Sequence, residues 1–278
     1  MGRDLQLFFP QWQGSGPGRE LWDGAQRLRT WLPELPFHEV PVALDPLPCG
    51  ADRVLGCGVL LQQQRAARRL IEAAEPDRIF TLGGDCGVEL MPVSWLNRRY
   101  GGRLTVIWLD AHGDLNSPES SPSGHFHGMP LRFLLEGVAH PLARACFSHL
   151  EPGQVLLAGT RDLDAPERSF IQATGIRVLT AAEVEADPPA LARQVPPGHA
   201  VYLHIDLDVL DPIHFPWVKC PAAGGFTSGT LLRIVQDFRN PGTLAGISVL
   251  EGLSTEAEEA RELVRALLGA CPSMLLVE

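Results

Sequence analysis

Eight short apolar runs rich in Val, Ile and Leu recur along this chain, at residues 5–9, 78–82, 104–109, 154–158, 177–179, 200–205, 246–250 and 273–277. Segments of helical pattern lie among them, at 21–31, 54–75, 129–135, 165–174, 181–186 and 255–268, and the 62–75 stretch is dense in strong helix formers. A strand that reads apolar at every position is buried on both faces. That is the habit of parallel sheets covered by helices, so the pattern predicts an α/β fold. No internal repeat or low-complexity linker breaks the 278 residues, which are enough for one large domain spanning 1–278.

The polar residues that follow these runs carry the functional information. Gly83-Gly84-Asp85 follows one run, Asp110 another, Arg161-Asp162 a third, Asp206 a fourth and Glu251 a fifth. In an open parallel sheet, ligands bind outside the carboxyl ends of the strands, so these clusters are expected to converge on one face. Trp108-Leu-Asp-Ala-His-Gly-Asp-Leu-Asn116 sets two carboxylates and an imidazole within five residues, and His204-Ile-Asp-Leu-Asp-Val-Leu-Asp-Pro212 adds two carboxylates at alternate positions. An uncompensated carboxylate beside such apolar runs costs several kcal/mol. A capping or turn role would account for any one of these Asp residues alone. The joint pattern Asp-x-His-x-Asp with Asp-x-Asp points instead to two divalent cations that share carboxylates, a device for making hydroxide from water near neutral pH.

The formal net charge of −10 argues against nonspecific binding of nucleic acid or anionic membranes. No apolar run approaches the ~20 residues of a membrane helix, and the apolar part of the N-terminus is too short for a signal peptide. The six cysteines, Cys49, Cys57, Cys86, Cys146, Cys220 and Cys271, are scattered without a Cys-x-x-Cys pair, which suits a reducing cytoplasm. The Pro/Ser-rich 117–124 stretch and the Pro-rich 212–225 stretch read as loops, the second long enough to be functional.

Asp110-Ala-His-Gly-Asp-Leu-Asn116, Ser123-Gly-His-Phe-His-Gly128 and Asp206-Leu-Asp-Val-Leu-Asp-Pro212 resemble the signatures of the arginase (ureohydrolase) family, and the likeness runs from about Gly83 to Glu251. The resemblance implies a three-layer fold with a mainly parallel sheet of about eight strands flanked by helices. It also implies a binuclear centre, Mn²⁺ in the usual case, and hydrolysis of a guanidino or amidine carbon by a bridging hydroxide. Carried over by position, Asp110 and Asp206 bridge the metals, Asp114 completes one site, and His112 and Asp208 complete the other. Catalytic roles fall to His127, which shuttles protons to the leaving amine, to Glu251, which orients the guanidino group, and to Asp114. Asn116 and Ser123 match positions that contact an α-carboxylate. Asp164, with Glu167 nearby, matches the segment that contacts an α-amino group. His125 stands two residues before His127; on an extended loop the two rings would face opposite ways. The spacing from Asn116 through Ser123 to His127 is arginase-like rather than agmatinase-like, so arginine or another guanidino acid is the expected substrate. A formiminoglutamate-type amidine and an inactive binding protein are the alternatives. Relatives assemble as trimers or hexamers, which implies a homo-oligomer.

Two positions depart from the family pattern. Arginases generally carry His after Gly-Gly-Asp, where this chain has Cys86. As a thiolate ligand Cys86 would favour Zn²⁺, Co²⁺ or Fe²⁺ over Mn²⁺; as a neutral thiol it would be a small hydrophobe, leaving the first metal weakly held. Relatives often have Thr-Gly-Thr-Pro before a Gly-Gly pair, where this chain has Val218-Lys-Cys-Pro221 preceded by Trp217. Trp217 and Lys219 would enlarge and charge the pocket rim if they pointed inward.

Overall fold

The structure, a computed structural model, describes residues 2–44, 53–135, 137–239 and 242–269. Its strands are β1 (Asp4–Phe9), β2 (His38–Glu39), β3 (Arg78–Gly83), β4 (Leu104–Leu109), β5 (Val155–Ala158), β6 (Arg177–Leu179), β7 (Ala200–Asp206) and β8 (Leu244–Leu250). They form one eight-stranded sheet in the order β2-β1-β3-β8-β7-β4-β5-β6. Every pairing is parallel. Ten α-helices accompany the sheet among the described residues: α1 (Glu20–Thr30), α2 (Cys57–Ala74), α3 (Leu90–Arg99), α4 (Pro130–Leu134), α5 (Pro141–Ala145), α6 (Ala165–Thr174), α7 (Ala181–Ala186), α8 (Ala190–Arg193), α9 (Ser228–Asp237) and α10 (Glu258–Leu268).

Alternation along each strand divides the apolar side chains between two cores. Ile107, Leu109, Leu203, Ile205, Ile247 and Val249 pack with α1, α7, α8, α9 and α10 on one face. Val106, Trp108, Tyr202, Leu5 and Leu7 pack with α2, α3 and α4 on the other. The expected three layers are therefore present.

Seven of the eight expected strands form. The 273–277 run lies outside the described residues, and the eighth strand is instead the short edge segment β2, exposed at both residues and paired through Leu7↔His38. Two residues are too few for periodicity to reveal. The sequence pattern predicts no helix at α3, α5, α8 or α9. In α3 every residue from Leu90 to Asn97 is buried, which erases the amphipathic signal. Pro92 falls in its first turn, where a missing N–H costs no helical hydrogen bond. The expected helices at 54–75 and 255–268 begin three residues late, at Cys57 and Glu258.

No helix among the described residues is long and apolar enough to cross a membrane.

Candidate metal centre and active site

The carboxyl ends of β3, β4, β7 and β8 lie side by side in the sheet and deliver Asp85, Asp110, Asp206 and Glu251 to one end of it. Gly84 makes the approach possible at β3: a Cβ there would stand 1.8 Å from the Gln11 carbonyl oxygen. Asp85 turns inward and accepts hydrogen bonds from Gln11 Nε2 at 2.7 Å, Gly14 N at 2.8 Å and Gly87 N at 2.9 Å. Burial and the neighbouring Glu251 charge push its carboxyl up to about 6. Its oxygens brace the 84–87 turn, which sets Cys86 in the site.

Asp110 follows β4 and is fully buried; it accepts from His112 N at 2.6 Å and Trp108 Nε1 at 3.1 Å. Asp206 ends β7 and accepts from Asp208 N at 2.8 Å and from the Cys86 thiol at 3.2 Å. Asp208 lies in the following turn, with Oδ1 on Ala111 N at 3.1 Å and Oδ2 3.0 Å from His112 Nδ1. His112 Nδ1 is also 3.4 Å from Asp110. Asp114 sits at φ 53° and Glu251 at φ 61°, left-handed values that strain a residue with a side chain. Asp114 Oδ2 is buried and has no hydrogen-bond partner.

Three groupings of ligand atoms result, each with all members within 4.8 Å of one another: Cys86, Asp110, Asp114 and His204; Cys86, Asp206 and Glu251; and Asp110, His112 and Asp208. Cys86, Asp110, His112, Asp114, Asp206 and Asp208, the residues named from sequence, all fall within these groupings, but Asp206 joins only Cys86 and Glu251. His204, which the sequence reading passed over, joins them. Asp110 belongs to two groupings, as a shared carboxylate would.

The carboxylates crowd one another in a buried setting. Burial, then Asp110, raise the Asp114 carboxyl well above its ordinary range; burial, then Asp208 and Asp110, do the same to Asp206. Burial and Asp110 push Asp208 up to about 6. Burial, then the charges of Asp206 and Asp114, raise the Cys86 thiol far above its usual value. Burial acts against charge on His112, but its hydrogen bonds to Asp110 and Asp208 outweigh that and raise it. Among the described residues no Lys or Arg lines the cavity beside these groups.

That cavity, of about 210 Å³, is lined by Cys86, His112, Asp114, Asp206 and Asp208 and also by Asn116, Ser123, His125, His127, Asp164 and Glu167. The family model described as "Arginase family" matches residues 28–267. The chain belongs to the arginase family. It is 36% identical over 175 residues to an arginase of Staphylococcus aureus, covering 59% of this chain and 57% of that one. It is 39% identical over 157 residues to an arginase of Bacillus caldovelox, covering 52% and 51%. The matched stretch thus spans little more than half the length of these curated relatives. The Entamoeba histolytica arginase crystallised with L-ornithine superimposes with a TM-score of 0.85 over 97% of this chain and 98% of that one, at 20% identity, a likeness of fold.

Set against the arginase family pattern, the rest of the cavity differs from expectation in several places. The 125–128 segment is not extended. Phe126–Gly128 is a single 3₁₀ turn, so the His125 and His127 rings both line the cavity, 6.0 Å apart, rather than facing opposite ways. His127 Nδ1 is 3.4 Å from Glu251 Oε1, which also accepts from Cys86 N at 3.0 Å. Burial lowers the His127 imidazole, and the Glu251 hydrogen bond and charge more than restore it, for a net rise. Glu251 itself is buried behind these neighbours. Asn116 donates to Asp164 at 2.9 Å and accepts from Ser120 Oγ at 2.8 Å. Glu167 spends its oxygens on Leu115 N at 3.0 Å and Asp164 N at 2.8 Å, which makes it a brace for the loop. Ser123 is exposed at the rim.

Trp217 and Lys219 do not line the cavity. Trp217 packs edge-on against Phe215, and Lys219 Nζ reaches Ser15 at 3.1 Å. It is Cys220 that faces the cavity from this loop.

Proposed function

We propose that this chain is a metal-dependent hydrolase that cleaves a guanidino or amidine C–N bond of a small amino-acid-like substrate, and that L-arginine, giving urea, is the first substrate to test. The observation that carries the reading is the unpartnered buried Asp114 Oδ2 among carboxylates that outnumber the imidazoles around them. A buried carboxylate oxygen left without a partner is costly, and a cation amid these carboxylates would compensate it.

The residues fit two divalent cations. Asp110 is shared between the grouping with Cys86 and Asp114 and the grouping with His112 and Asp208, and Asp206 joins through Cys86, so Asp110 and Asp206 would be the carboxylates nearest both cations. Two cations there would supply hydroxide from a shared water near pH 7. The oxygen-rich side suits Mn²⁺, while the side with sulfur suits Zn²⁺, Co²⁺ or Fe²⁺.

The protein's own groups do the rest. His127, kept basic by Glu251 at 3.4 Å, is the proton donor to the leaving nitrogen. Glu251 does not line the cavity, so its effect on the guanidino group would run through His127 and Cys86 N, which it touches. Asn116, Ser123, His125 and Asp164 at the far side of the cavity offer donors and an acceptor for the ends of an amino acid. The ornithine held by the Entamoeba relative agrees with a substrate of that class. The same reading carries a cytoplasmic location, suggested by the scattered cysteines, and a trimeric or hexameric assembly, which light scattering tests.

Urea release is measured from a panel of guanidino acids, agmatine and formiminoglutamate with Mn²⁺, Co²⁺ or Zn²⁺ supplied. Asp110→Asn and Asp206→Asn are each expected to abolish turnover; activity retained in both removes the mechanism.

A further inference from the structure

His204 lies two residues before Asp206 on β7, so both project from the same face of the sheet. Strand register places His204 beside Trp108 of β4 on one side and Ser248 of β8 on the other. Trp108 is likewise two residues before Asp110. Imidazole and indole therefore stack one step back along their strands from Asp206 and Asp110, with ring centroids 3.5 Å apart and planes 12° from parallel.

We propose that His204 is a metal ligand of this chain, its Nε2 joining Cys86, Asp110 and Asp114 around the first cation. The proposal rests on the two-cation reading above and names the nitrogen donor of its first site.

The two ring nitrogens have different partners. Nδ1 lies 2.8 Å from Glu89 Oε1, a normal hydrogen bond. Glu89 also accepts from Tyr202 Oη at 2.6 Å and from Ser248 Oγ, so three donors fix it as an oriented carboxylate in a fully buried position. That arrangement puts the proton of a neutral His204 on Nδ1 and turns the Nε2 lone pair toward the cluster, the carboxylate–histidine pairing that steadies metal-bound imidazoles.

Nε2 has no comparably close contact with the cluster. It stands 3.5 Å from Asp110 Oδ2 and 3.8 Å from Cys86 Sγ, long against the roughly 2.9–3.0 Å of a good N–H···O bond. Those spacings suit two atoms bound to one ion. Bonds of about 2.0–2.3 Å bring ligand atoms to separations of that size. The buried Asp114 Oδ2 without a partner belongs to the same grouping and gives the ion a further oxygen. With a nitrogen and a sulfur present, the first site is expected to prefer Zn²⁺ or Co²⁺ to Mn²⁺, unlike the second.

The test uses the full chain, stripped by chelation and dialysed against Zn²⁺, with bound metal counted by mass spectrometry. The unsubstituted protein should take two equivalents. His204→Gln should hold one, with the other weakened at least tenfold, and Glu89→Gln should weaken that same equivalent about 10- to 100-fold. Because His204 is buried, a second measurement covers a variant that fails to fold. X-ray absorption of the His112→Gln protein carrying one zinc should show both imidazole and sulfur scattering. Two tightly bound equivalents in His204→Gln, or a spectrum without imidazole, overturns the assignment and leaves two-metal binding standing. An unsubstituted chain that takes up no cation overturns both.

Discussion

Removing the cations should invert the pH dependence of stability. Asp208 is pushed up to about 6 in the folded chain by burial and Asp110, against 3.8 for an ordinary aspartate. A carboxyl whose folded pKa is raised binds its proton more tightly in the fold. Its contribution is therefore fully present below about pH 4 and is lost as the pH climbs to about 6. A shift of about 2 units corresponds to about 3 kcal/mol. Asp114 and Asp206 are shifted in the same direction, so the loss continues above pH 6. For a chain of 278 residues the unfolding entropy is about 0.6 kcal/mol per degree, so Asp208 alone moves Tm by about 5 °C. Cations oppose that loss, since they compete with protons for the same oxygens, and two of them, each at a hundred times its Kd, add about 5.4 kcal/mol, more than Asp208 loses. The assay is calorimetry from pH 4 to pH 8 on stripped and Zn²⁺- or Mn²⁺-loaded protein. Stripped protein should lose Tm as pH rises through this window while loaded protein gains it. Parallel curves for the two forms would refute the argument that these carboxylates are held for a metal.

His127→Ala should lower kcat about 10²- to 10⁴-fold while the two metal equivalents remain bound, measured by urea release and metal counting. Gly84→Ala forces a methyl to within 1.8 Å of the Gln11 carbonyl oxygen and should cost about 3 kcal/mol, read from the urea midpoint. Arg161 donates to the carbonyls of Gly159, Asp208, Val209, Leu210, Ala222 and Ala223. Arg161→Lys replaces that planar fork by a point charge and should cost about 3 kcal/mol, with KM rising as the 212–225 loop loosens beside the cavity.

The layer plan was legible because six strands bury both faces and so advertise themselves as continuous apolar runs. What escaped shows the limit of that signal. β2 is a two-residue edge strand held through pairing with Leu7 and Phe8, a contact made across some thirty residues of chain. Helix α3 is buried almost all round, so it lacks the polar stripe by which an amphipathic helix is recognised.

The site was legible in its carboxylates for a related reason: charges beside apolar runs are costly and so call for explanation. His204 gave no such warning, because a histidine inside a strand is easily read as one more core residue. Its significance comes from register, which single-strand patterns do not contain. Only when Trp108↔His204 and His204↔Ser248 are aligned does the imidazole fall one step back from Asp110 and Asp206, with Glu89 brought up behind it by the 86–89 turn. The period-2 rule could have flagged it, since His204, Asp206 and the residues that flank them on β4 share one face. Cys86 then reads differently as well. It is one member of a group in which the neighbouring strand already offers a nitrogen donor, so a thiol at this position does not by itself imply a lost metal site.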